Sequence, residues 1–131
     1  MAETTSNLRT YLLSVGAVSA IFGTAIYVDR KDPRITTTYP FAIIRTATEK
    51  PDYAHDGALP PSGLYQIDVY STSITTAESG KAAIRTAVSG YKGAMSNITV
   101  GSSFITDERG DYDPEEKVFR RSLDVAIGQN G

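Results

Sequence analysis

The chain of 131 residues contains no cysteine. That absence excludes a disulfide framework, a thiolate nucleophile and any zinc site of the finger type, and it leaves the cellular compartment open. Histidine is nearly missing too, with His55 as its single representative. Neither sign of charge is in large excess, since 13 Lys and Arg face 15 Asp and Glu and the formal net charge is -2. Nucleic-acid binders concentrate Lys and Arg on one face, so a tight grip on a phosphate backbone is not expected. There is no internal repeat and no low-complexity tract. Hydrophobic residues at 40% and charged residues at 21% are ordinary for a folded globular protein, and the length suits one domain. One domain over residues 1–131 is therefore expected, with residues 1–5 as a flexible N-terminal segment.

An uncharged run from Tyr11 to Val28, preceded by Arg9 and followed by Asp29, Arg30 and Lys31, has the length of a membrane span. Ser14, Gly16, Ser19, Gly23 and Thr24 weaken it, and Gly23 with Thr24 divides it in two. Glu3 is also misplaced for a signal peptide, whose first segment is basic. A buried helix followed by a strand is the better reading, with no membrane as partner.

Hydrophobic periodicity orders the rest. Leu8, Leu12, Val15, Val18 and Ile21 recur at helical spacing behind a cap at Thr5 or Ser6. Strands are expected at residues 26–29 and 41–48, the second after the Tyr39–Pro40 step. Residues 63–71 alternate, with Tyr65, Ile67 and Val69 on one face and Gln66, Asp68 and Tyr70 on the other. Gly80, Ile84, Val88 and Tyr91 then form one stripe of a second helix. Two more strands, residues 98–105 and 118–127, flank an acidic connection. The expected fold is α+β: two layers, a mostly antiparallel sheet of four to five strands, and two main helices on one face.

Catalytic constellations are weak. His55 lies in the loop of residues 47–62, and no Gly-x-Ser-x-Gly elbow exposes a serine for it to activate. Glu78-Ser79-Gly80-Lys81 is like the end of a phosphate-binding loop, but lacks the upstream glycine and sits inside a helix. The acidic connection Asp107-Glu108-Arg109-Gly110-Asp111-Tyr112-Asp113-Pro114-Glu115-Glu116 is rich in oxygen ligands, yet its glycine and terminal glutamate fall in the wrong places for an EF-hand. No metal, no cofactor and no enzymatic activity are expected. A small binding module or enzyme built on the 47–62 loop is the alternative.

The order of these pieces resembles the tail-completion family of tailed bacteriophages, which includes tail-terminator and tail-to-head joining proteins. The resemblance rests on Ile26-Tyr27, Tyr39-Pro40-Phe41-Ala42-Ile43-Ile44, Tyr65-Gln66-Ile67-Asp68-Val69-Tyr70 and the helix from Ala77. It rests most on Asp107-Glu108-Arg109-Gly110-Asp111-Tyr112-Asp113 followed by Val118-Phe119-Arg120-Arg121-Ser122-Leu123-Asp124-Val125. The chain departs from it in its polar tail, residues 128–131, and in the loop of residues 47–62. The resemblance implies a structural subunit of the virion, made in the host cytoplasm, that forms a hexameric ring at the head–tail junction. That ring would cap the tail tube protein, meet the head connector or stopper protein, and let DNA pass through its lumen without specific binding. Candidate interface residues are Asp107, Glu108, Arg109 and Asp111 in the acidic connection, and Asp52, Tyr53 and Asp56 in the 47–62 loop.

Overall fold

A computed structural model describes residues 2–29, 39–50, 62–96 and 98–129. Its elements run α1 (Ala2–Ser14), α2 (Gly16–Phe22), β1 (Ile26–Val28), β2 (Phe41–Lys50), β3 (Ser62–Ser71), α3 (Ile74–Val88), β4 (Gly93–Met95), β5 (Ile98–Asp113) and β6 (Val118–Gln129). The strands make one six-stranded sheet in the order β1-β2-β3-β6-β5-β4. All pairs are antiparallel except β1 with β2.

The expected α+β class stands, with the helices packed on one face, but the sheet is mixed and has six strands, not four to five. The extra strand, β4, and the parallel strand, β1, are three residues each. That is too short for period-two alternation to announce a strand or for pattern to reveal its direction. The apolar run of residues 11–28 is split among α1, α2 and β1, and no helix of the described residues is long and apolar enough to cross a membrane.

The first helical stretch is two helices because Val15 is extended, at φ -85° and ψ 117°. An unbroken 3.6-residue period from Leu8 and Leu12 would next bring residues near 15 and 19 inward. The extended residue resets the phase, so that Val18 and Phe22 are buried instead. The helix also starts at Ala2, and Thr4 and Thr5 are buried, where a flexible segment was expected. α3 begins at Ser73, whose hydroxyl accepts from the Thr76 N–H at 3.4 Å. It ends before Ser89 and Gly90, the latter at φ +72°.

One core fills the space between helices and sheet. Leu8, Leu12, Val18, Phe22, Ile84 and Val88 come from the helices, and Ile44, Ile67, Val69, Leu123, Val125 and Ile127 from alternate positions of the strands. Each such side chain, fully buried, contributes about 1.5–3 kcal/mol. Gly80, part of the string that is like a phosphate loop, serves packing, since a Cβ there would lie 2.7 Å from Phe22 Cζ and 3.2 Å from Val69 Cγ1. The glycine lets α3 lie down on β3 and α2.

Substitution Gly80→Val should therefore lower stability by about 1–3 kcal/mol through overpacking. A lower urea midpoint with unchanged slope is the expected signature, and an unchanged midpoint would refute this role for Gly80.

Candidate functional site

Among the described residues no helix lies on the opposite face of the sheet, and the residues of that face follow from the strand pleat. The cross-strand register aligns Phe41, Tyr70, Arg120 and Asp111 in one row. Ile43, Asp68, Ser122 and Arg109 form the next, and Arg45, Gln66, Asp124 and Asp107 a third. Alternation thus brings charge of both signs, two aromatics and one isoleucine onto a single face, where Phe41, Ile43, Asp68 and Ser122 are buried.

Ion pairs tie these rows together. Arg109 grips Asp124 with two nitrogens, at 2.8 and 3.1 Å, and reaches Asp107 at 2.7 Å. Those two carboxylates hold the Arg109 guanidinium in its charged form still more firmly than usual, Asp124 having the larger effect. Arg120 bonds Asp111 at 2.7 Å. Asp68 is 0% exposed, like its row neighbour Ser122 at 1%. It is kept there by Ser122 Oγ donating at 2.5 Å, Gln66 Nε2 donating at 2.8 Å and an ion pair with Arg45. A buried carboxylate is tolerated only when its lone pairs are met in this way.

Beside the charges lies an aromatic corner. Phe41 stacks on Tyr70 with ring centroids 4.9 Å apart, Tyr39 leans on Phe41 at 5.5 Å, and Tyr27 meets Phe41 edge-on at 6.1 Å. Tyr39, Phe41 and Tyr70 form one wall of a groove of about 620 Å³. Asp111, Pro114, Val118 and Arg120 of the β5–β6 hairpin form the other. Nothing in the strand pattern announces this corner except parity: Phe41 and Tyr70 are large rings at positions out of step with the core.

The acidic connection expected between two strands is itself mostly strand. β5 continues to Asp113, leaving only residues 114–117 as the turn, and Asp113 Oδ1 accepts from the Glu115 and Glu116 N–H groups at 2.9 and 3.3 Å. Its polar composition hid the strand, because both faces of that stretch are solvent-accessible and no apolar alternation is required. The pleat separates the candidates. Asp107, Arg109 and Asp111 are on the face with Asp68 and Ser122, whereas Glu108 is on the helix side, 3.3 Å from Lys81 and 3.2 Å from Arg85 on α3. Nearby, Arg121 pairs with Glu78 of α3. Gly110, opposite Arg121 in the register, leaves the room that guanidinium occupies. Among the described residues no three acidic or histidine side chains converge on a possible metal position. Asp52, Tyr53, Asp56 and His55 lie outside the described residues.

The family model described as "Tail completion protein gp17" matches residues 6–129. Among solved structures, a chain of the "Virion of native gene transfer agent (GTA) particle" is similar with a TM-score of 0.67 and 17% identity, over 95% of this chain and 92% of that one. At that identity the likeness is one of fold. No curated protein matches the sequence.

Two expectations concern stability. Asp68→Ala leaves the Ser122 hydroxyl buried without its acceptor and should cost about 1–3 kcal/mol by urea denaturation, with Asp68→Asn costing less because one oxygen remains. Equal losses would contradict the hydrogen-bond account. Glu78 is held below the usual glutamate range chiefly by its hydrogen bond from Arg121. Because the folded value is the lower one, its stabilising effect is fully present above the ordinary glutamate range and is lost as pH falls through the depressed value. Glu78→Gln should therefore flatten the acid limb of the stability–pH curve; a limb of unchanged slope would rule the contribution out.

Proposed function

The chain belongs to the tail completion protein family, and from that membership we propose that it is a structural subunit of a phage tail, closing the tube at its head-proximal end. Six copies form a ring that caps the last layer of tail tube protein and offers a surface to the head connector. The single observation that carries this reading is the extent of the family match, residues 6–129, which runs from within α1 to the end of β6.

The geometry of the sheet face opposite the helices supports the reading. A subunit in a closed ring presents different patches to its neighbours and to the partners above and below. Here one face is spent on the core and the other, which carries no helix among the described residues, is already rigid, because Asp68, Arg109 and Arg120 cross-link its strands. A surface held in shape before assembly loses little conformational freedom on docking. Charge suits a DNA conduit as well. With a net charge of -2 and Arg45, Arg109 and Arg120 of this face committed to carboxylates, its described residues present no basic stripe on which a phosphate backbone would condense. Asp107, Glu108, Arg109 and Asp111, together with Asp52, Tyr53 and Asp56, are the residues proposed to meet partners.

Particles assembled without this protein should carry tails of uncontrolled length or tails that fail to join heads, with both defects corrected by supplying it in trans. Electron microscopy and infectivity counts decide between the outcomes, and normal infectious virions lacking the protein would refute the role.

A further inference from the structure

The row of Phe41, Tyr70, Arg120 and Asp111 crosses β2, β3, β6 and β5 and runs through the groove between the aromatic corner and the hairpin. Adjacent strands stand ~4.8 Å apart, so β2 and β5 are roughly 14 Å from one another in this row, a width that admits one extended chain segment. The rim is open to solvent. Tyr39 is 40% exposed and Tyr112 46%, and the Asp111 side chain is 56% exposed.

Charge in the groove is unbalanced. Asp111, Asp113 and Glu116 border it, with Arg120 as the one cation beside them. Arg120 is already spent on Asp111, at 2.7 Å. Asp113 Oδ1 accepts only main-chain N–H groups, those of Glu115 and Glu116, and the Glu116 carboxylate has no ion-pair partner. Among the described residues, two carboxylates therefore border the groove without a counter-ion. The facing wall is aromatic, with Tyr39 against Phe41 and Phe41 stacked on Tyr70. Ring faces carry a negative quadrupole, so this wall favours a cation as well.

These two walls select among occupants. A phosphate group would be repelled by the carboxylates, and an aliphatic side chain would leave them unanswered. A metal ion finds no three acidic side chains converging among the described residues. A cationic head on an aliphatic stem satisfies both walls, and arginine does so best, because its planar, weakly hydrated guanidinium both stacks on rings and pairs with carboxylates. We infer that the groove docks an extended, arginine-bearing segment of a neighbouring structural protein, the basic side chain lying along Tyr39, Phe41 and Tyr70 with its head toward Asp113 and Glu116. That the segment belongs to a tail or head protein rests on the reading above, whereas recognition of the cation does not.

The test separates the two. Asp113→Asn keeps the oxygen that accepts from the turn and removes only the charge, and Glu116→Gln does the same on an exposed side chain. The full-length, isotope-labelled chain is titrated with acetyl-Gly-Arg-Gly-Arg-Gly-amide, and with the same peptide carrying citrulline in place of both arginines. The arginine peptide should shift the amide resonances of Tyr39, Phe41, Tyr70 and residues 111–118, less so as salt is raised. The double variant should bind it about five-fold less tightly while its own spectrum stays folded. An equal response to the citrulline peptide, shifts confined to another surface, or undiminished binding by the double variant would overturn the inference. In assembled tails, p-benzoylphenylalanine in place of Tyr39 should, on irradiation, join the groove to a peptide of another structural protein with arginine at the attachment point. Attachment to a second copy, to this chain's own residues or to a segment without a basic residue would also overturn it. Purified tails that lack the protein would instead remove the tail reading and leave the titration to decide the groove.

Discussion

Burying Asp68 on the side of the sheet where no helix lies among the described residues is the constraint around which the rest is arranged. A carboxylate withdrawn from water needs donors on several sides, and here they come from three strands: Arg45 on β2, Gln66 beside it on β3, and Ser122 on β6. That demand fixes the lateral neighbours of β3 and their register at the same time. A slip of one residue would turn Ser122 to the helix side and bring Arg121 across. The core side chains on the opposite face, Ile67, Val69, Leu123 and Val125, reinforce the same register from behind, because they are buried only in it.

The hairpin of β5 and β6 applies a similar logic to charge. Its acidic residues are distributed by the pleat to two different counter-surfaces, arginines of the sheet on one side and α3 on the other. The exposed pairs contribute little singly, on the scale of surface ion pairs. Their effect is geometric: they hold a long, polar, solvent-accessible strand in an extended form that hydrophobic burial alone does not require.

The groove between the aromatic corner and the hairpin sits where these two systems meet. Phe41 and Tyr70 stack in the row that also holds Arg120 and Asp111, so its apolar and charged walls are fixed by the same register. Rings standing on a surface that is otherwise ion-paired are the kind of feature that anchors a protein partner.

Local order could be read from residue patterns alone. Period-two alternation located β3 and gave the correct parity to Tyr65, Ile67 and Val69. The stripe of Gly80, Ile84 and Val88 located α3, and the succession of motifs pointed to the family before any fold was known. Three decisions belong to the tertiary structure. The break at Val15 depends on where α2 must meet α3. The continuation of β5 through Asp107–Asp113 depends on cross-strand and α3 partners far away in the chain. What stands at each end of the sheet depends on β1 and β4, strands too short to leave a period. In each case the deciding contacts join residues distant in sequence, and a pattern along one strand carries the parity of its side chains but not the identity of its neighbour.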